Sequence, residues 1–409
     1  MNNVNSDGAH AKMLSGSCLL VLGCILVAGL WPFHTPHNAV SWLKNEDGLA
    51  FGRHGSVLSV NAFRNIRSAN DAGYSLEIRL TPEGIPGGGS ILAFDSSQDP
   101  RAPFLLRQYG TSIAVQRYMD DQQGHINHLW FRVDHVFQAG KRVLVTVTSN
   151  KNGTLLYVNG ALAGADSDAG IVGREFTGRL VLANSTVDDS WTGQIAGLAI
   201  YDRELTPAQV SSHFQSWTPA HGPLLTGEQP PVALYLFDER GGSTVRNVVD
   251  PTTNLTIPAS YFVLHPAFLR STREVYARSR GLGKSWSFWE DLGVNIGGFV
   301  PLGFAFYAYF SSVKRTGRAA LLVVTLGFFL SFAIEALQWL LPTRDSGMTD
   351  LFTNTTGTAL GVLLHRSSTV QALWTKVLNL GVPYPDARLQ RPVVESHPPA
   401  QDEKLTFSA

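Results

Sequence analysis

The sequence predicts a multidomain chain: an antiparallel β-sandwich plus an α-helical transmembrane domain of about four spans. Residues 40–216 fall into short alternating runs broken by Gly, Asn and Asp, the pattern of strands and turns. Four stretches, 13–33, 292–310, 319–341 and 348–365, are candidates for crossing a bilayer, which takes about 20 apolar residues. The composition agrees: 39 Gly, 10% aromatic and only 16% charged residues among 409 suit β-structure plus membrane better than a soluble helical enzyme.

Charge and cysteine content narrow the function classes. Lys+Arg and Asp+Glu number 32 each, so no net charge recruits nucleic acid or an acidic surface. The only cysteines, Cys18 and Cys24, share one apolar run. That excludes a disulfide-stapled secreted domain and a cysteine-based zinc site.

Residues 1–12 read as a cytoplasmic N-terminus, followed by the uncharged run MLSGSCLLVLGCILVAGLWPF (13–33). A cleaved signal peptide would show a small-x-small site after it, and none is found. VLGC (21–24) faintly resembles a lipoprotein cleavage box, but ILVAGLW continues apolar past Cys24. An uncleaved membrane helix is therefore expected. HTPH (34–37) reads as an interfacial linker rather than a metal site, and no metal is expected elsewhere.

Strands are expected at YSLEIRL (74–80), SILAFD (90–95), SIAVQRY (112–118), RVLVTVT (142–148) and TLLYVNG (154–160). Val143, Val145 and Val147 alternate with Leu144, Thr146 and Thr148, a period-2 signal. SNKNG (149–153) carries the Asn-Gly chemistry of a hairpin turn. Many short strands at this spacing argue for a sandwich.

The strand ending Tyr157-Val158-Asn159-Gly160, followed by TGQIAGLAIYDRELTPAQV with its short closing helix, resembles the laminin-G or concanavalin A-like jelly roll. The resemblance bounds the domain at 38–216, with 217–290 as sandwich extension and linker. Residues 232–262 resemble the opening strand of a similar sandwich; they either complete the first one or begin a second. Jelly-roll loops often bind sugars or calcium, so the resemblance points to Asn184, Asp188, Asp189 and Trp191 as the ligand loop, with calcium as the one cofactor it invites. An ordinary polar loop with a packed Trp is the plainer alternative. Glycosidases of this fold need two carboxylates flanking the bond, and their Glu-x-Asp-x-x-Glu spacing is missing from the sequence.

In the membrane part, the loop SSVKRTGR (311–318) holds Lys314, Arg315 and Arg318, which the positive-inside rule assigns to the cytoplasm. The tail, 366–409, is then cytoplasmic and partly disordered, and the sandwich is extracytoplasmic. Arg270, Arg273, Arg278, Arg280 and Lys284 oppose that orientation, but long loops translocate largely regardless of charge.

Polar residues recur where the spans meet the sandwich side: Asp291 with Asn295, Glu335 with Gln338, and Asp350 with Asn354. Each pair shares a helix face, and Glu335 sits roughly 9 Å below Leu341 at about 1.5 Å rise per residue. Ionisable residues inside a membrane default to a functional site; the alternative is that they bond helices together. Gly357 and Gly361 suggest close packing, Trp286 and Trp289 interfacial anchors, and Pro301 a kink.

EDLGVNIGGFVPLGF and FAIEALQWLLPTRDSGMTDLFTNTTGTALG resemble the VanZ-like family of small bacterial membrane proteins. Asp291, Asn295, Pro301 and Gly303 match its first block, and Glu335, Gln338, Arg344, Asp350, Asn354 and Gly357 its second. The chain departs from that family in the long segment inserted after its first span. The family is associated with resistance to the glycopeptide teicoplanin through an unresolved mechanism.

Three functions follow. The favoured one is an inner-membrane, multi-pass cell-envelope protein in contact with membrane lipid, whose sandwich binds a cell-wall or surface glycan or another ligand. The alternative is a membrane enzyme acting on a lipid-linked substrate, with Glu335 or Asp350 as acid or base and Arg344 holding an anionic head group. The third is a membrane-anchored scaffold or adhesin.

Overall fold

The computed structural model describes residues 2–63, 73–85, 87–95, 104–120, 126–171, 176–185, 190–217, 222–223, 225, 227–263, 268–272, 285–314, 316–344, 346–367 and 369. Asp188, Asp189, Arg273, Arg278, Arg280, Lys284, Arg315, Asp345 and the tail beyond 369 lie outside the described residues.

The chain begins with α1 (Asn2–Leu30) and then enters the strands β1 (Val40–Trp42), β2 (Leu49–Phe51), β3 (Val57–Ser59) and β4 (Tyr74–Pro82). There follow β5 (Gly88–Asp95), β6 (Phe104–Tyr109), β7 (Ser112–Asp120), β8 (Ile126–Val133), β9 (Val143–Asn150) and β10 (Gly153–Val158). β11 (Ala161–Asp166), β12 (Arg179–Leu182) and β13 (Gly193–Tyr201) lead to α2 (Pro207–Ser216), after which come β14 (Ala233–Tyr235), β15 (Thr244–Val245) and β16 (Leu255–Thr256). Sheet one runs β1-β2-β13-β4-β9-β10-β11, and sheet two β15-β16-β3-β12-β5-β6-β7-β8.

Alternation decides which side chains enter the core. Leu76, Ile78, Leu80, Val143, Val145 and Val147 of sheet one meet Leu92, Phe94, Leu106, Ile113 and Val115 of sheet two. The other face of sheet one is not left to solvent, because α2 lies on it over Leu144, Tyr157, Ala199 and Tyr201. This is why β9 is buried on both faces although its sequence alternates. Thr206 caps α2 through a capping box with Gln209, with Pro207 in the first turn.

One hairpin turn falls within the expected 149–153, and a second lies at Asn159-Gly160, which the sequence placed at the end of a strand. Asn150 pairs with Gly153, leaving Lys151 and Asn152 as the loop of β9–β10. Asn159 and Gly160, with φ of 50° and 79°, join β10 to β11; that pair of positive φ angles defines the type I′ turn, which suits Asn-Gly.

Residues 232–262 complete the first sandwich. β14 pairs with β13 beside the stretch that β2 occupies, and β16 pairs with β3 in sheet two. The incoming and outgoing segments also pair: His37 bridges Ser260, and Tyr261 N donates to Pro36 O at 2.9 Å.

The helical domain consists of α1, α3 (Ser285–Ala308), α4 (Ala319–Trp339) and α5 (Met348–Arg366). Among the described residues three helical segments are long and apolar enough to cross a membrane: Ala11–Leu30, Phe288–Val313 and Ala319–Trp339. α5 falls short of that mark because Asp350, Asn354 and five threonines dilute it, so length and hydropathy support three of the about four expected spans. α3 also starts earlier than expected, so Asp291 lies inside the helix, and α1 stops at Leu30, ahead of Pro32. The hydroxyls of Thr353, Thr355, Thr356 and Thr358 donate back to carbonyls four residues earlier, which lets an apolar bundle accept them.

Candidate functional site

α5 packs against α3 with no side chain between parts of the two backbones. A Cβ on Gly357 would collide with Ile296 O, one on Gly361 with Val300 O, and one on Gly303 with Thr358 O. The glycine pair therefore brings α5 so close that its polar residues face α3 and α4.

Around the first turns of α5 the expected polar residues meet in pairs. Asn295 Nδ2 of α3 donates to Asp350 Oδ1 at 2.8 Å. Glu335 of α4 is 1% exposed, and its Oε2 accepts from Gly347 N, at the cap of α5, at 3.0 Å. A carboxylate there faces the positive end of the helix dipole. One turn deeper, Asn354 Nδ2 donates to Ser331 Oγ at 3.0 Å. The Asn354 Oδ1 is buried without a hydrogen-bond partner among the described residues; such atoms are rare enough in native structures to mark a site.

Other expected members lie apart from this group. Asp291 is exposed on the surface of α3. Gln338 Nε2 donates to Gly29 O of α1 at 2.7 Å, and Arg344 Nη2 donates to Trp31 O. Gln338 and Arg344 thus hold the end of α1, and the Arg344 guanidinium is engaged there rather than turned toward the carboxylates. Trp286 and Trp289 are 73% and 55% exposed at the same end of the bundle.

A short strap, residues 268–272, was not singled out from the sequence. Arg270 N donates to Ser346 O at 3.2 Å and Met348 N to Arg270 O at 2.9 Å, so the strap brackets the Gly347 amide that Glu335 accepts. Thr349 Oγ1 donates to Thr272 Oγ1 at 3.0 Å, and Phe268 packs edge-on against Phe332 and Trp339. Arg270, 9% exposed, had registered in the sequence only as a charge opposing the orientation. No local pattern in the sequence sets it apart from the other basic residues of that stretch.

In the sandwich, the expected ligand loop has an inward role where it is described. Asn184 is 0% exposed, and its Nδ2 donates to the Tyr261 hydroxyl at 2.8 Å. Trp191 is 1% exposed and donates from Nε1 to Gln108 Oε1 at 2.6 Å. Asn184 therefore holds the outgoing segment at Tyr261, and Trp191 fills the core. Among the described residues no group of three or more His, Cys, Asp or Glu could hold a metal.

Two family models match the chain. Residues 239–370 match VanZ/LLP1, and residues 54–211 match the concanavalin A-like lectin/glucanases superfamily. The first match begins within the closing segments of the sandwich. Comparison with the curated proteins gives no match.

Among solved structures, a SAP-like pentraxin from Limulus polyphemus is 14% identical, over 45% of this chain and 82% of its own, with a TM-score of 0.31. A putative carbohydrate-binding protein from Bacteroides ovatus is 12% identical, over 54% of this chain and 62% of its own, with a TM-score of 0.37. The receptor-binding domain of botulinum neurotoxin D is 15% identical, over 44% of this chain and 46% of its own, with a TM-score of 0.33. The chain thus spans less than two thirds of the second and third. It is a membrane protein that combines a VanZ/LLP1-like segment with a concanavalin A-like sandwich.

Proposed function

We propose that the protein works in the cell envelope, with the sandwich outside the inner membrane binding a cell-wall or surface glycan and the helical domain acting on or sensing a molecule in the outer leaflet. One observation carries the reading. The carboxylates of Glu335 and Asp350 lie at the end of the bundle from which both connections to the sandwich leave, and the strap through Arg270 joins the two parts. A ligand gathered by the sandwich would meet these groups near the membrane surface. The orphaned Asn354 Oδ1 supports a ligand-facing pocket, and glycopeptide resistance is the envelope phenotype to score first.

The test uses the full chain in lipid nanodiscs, mixed with immobilised peptidoglycan and envelope polysaccharides, alongside Glu335→Gln and Asp350→Asn. Saturable glycan binding by all three, with loss of the envelope phenotype in the two variants, is expected. Absence of binding to every glycan refutes the lectin role. Wild-type behaviour of both variants refutes the pocket. Chemical conversion of a lipid-linked envelope precursor that depends on Glu335 would favour the enzymatic alternative.

A further inference from the structure

Beneath α2 lies a second buried polar cluster, separate from the membrane site. His213 of α2 and Glu77 of β4 are both 0% exposed. His213 Nδ1 is 3.0 Å from Glu77 Oε2, and its Nε2 is 3.4 Å from Glu228 Oε2. Tyr201 of β13 donates its hydroxyl to the same Glu77 oxygen at 2.7 Å, and Thr146 of β9 donates to the other at 3.3 Å. Arg203 completes the surroundings, 3.4 Å from Glu228 and over the Tyr201 ring at 4.9 Å. Leu144, Tyr157, Val210 and Trp217 seal the cluster with apolar surface.

We propose that His213 is a pH-operated latch: in its protonated form it fastens α2 onto sheet one between Glu77 and Glu228, and loss of that proton lets the helix lift. Both ring nitrogens face carboxylate oxygens, and only the imidazolium carries two N–H donors. Deprotonation removes the positive charge that stands 3.0 Å from the buried Glu77 Oε2 and 3.4 Å from Glu228 Oε2. Breaking a buried ion pair in this way is strongly destabilising.

Burial alone would pull the His213 pKa down, but the Glu77 hydrogen bond and charge, and then Glu228, outweigh it, and the pKa stands above the ordinary histidine value. A raised folded-state value makes the latch's contribution complete below the unfolded pKa, about 6.5. The contribution is lost as pH rises through the folded value. Tyr201 does not titrate in this window, since burial and Glu77 push its phenol well up. The inference is independent of any ligand, so it can fail while the envelope reading stands.

The experiment is amide hydrogen exchange on the full chain in nanodiscs between pH 6 and 9, corrected for intrinsic base catalysis. Peptides covering 205–217 should open at least about tenfold more at the alkaline end, while β5–β7 stay protected. His213→Gln should exchange fast throughout and lose the dependence on pH. Corrected exchange in α2 that stays flat, or a His213→Gln variant that keeps the wild-type profile, overturns the latch. Should the variant fail to fold, wild-type unfolding alone decides: stability must fall as pH rises above about 6.5, and a flat or rising profile refutes the proposal.

Discussion

Glu77 and Glu335 are both carboxylates with almost no exposure, one in the sandwich and one in the bundle, yet they are held very differently. Glu77 receives a phenol, a threonine hydroxyl and an imidazole from three elements. Glu335 receives the Gly347 amide, and its neighbour Asn354 keeps a buried oxygen without a partner among the described residues. Three donors from three elements fix Glu77 in the fold of the sandwich, whereas Glu335 is held from the cap of α5 and leaves room for something else. The contrast assigns Glu77 to architecture and Glu335 to the candidate site.

Substitutions can break or sharpen that contrast. Removing the Glu77 carboxylate strands the histidine and tyrosine, so Glu77→Ala should cost the sandwich about 3–5 kcal/mol, read by urea titration of tryptophan fluorescence. Gly357→Leu would force α5 away from Ile296, with a loss of about 1–3 kcal/mol from overpacking, measured as thermal unfolding in micelles. Asn184→Ala leaves the Tyr261 hydroxyl short of a donor and should cost about 1–2 kcal/mol, with faster amide exchange in residues 259–263. Smallest of all, Glu335→Gln keeps an acceptor for Gly347 and should change stability by less than about 1 kcal/mol. If Glu335→Gln destabilises as strongly as Glu77→Ala, the contrast collapses and Glu335 is structural.

Much of this was legible in the sequence because periodicity reports directly on which side chains face a core. The valines of β9 and the closing helix α2 lie where their patterns put them. Glu335, Asp350, Asn295 and Asn354 were legible because polar residues are conspicuous in apolar helices. What was not legible depends on contacts far apart in sequence. Asn184 and Trp191 look like loop residues until the segment at Tyr261 and Gln108 of β6 close over them. Gln338 shares a helix face with Glu335, yet it turns to α1 some 300 positions earlier. Arg270 read as one of several basic residues until the strap placed its backbone against Gly347. The fourth expected span falls short in hydropathy because α5, packed by glycines against α3, carries polar residues toward its neighbours.

The bridge between His37 and Ser260 has an evolutionary consequence. A domain whose two ends are hydrogen-bonded neighbours can be spliced into a host loop without stretching it, and removed again without leaving a gap. Insertions of this kind are tolerated because domain termini so often lie close together. Such a sandwich can join a helical host in a single recombination event, and a short turn joining residues 36 and 261 should leave a bare bundle that still inserts.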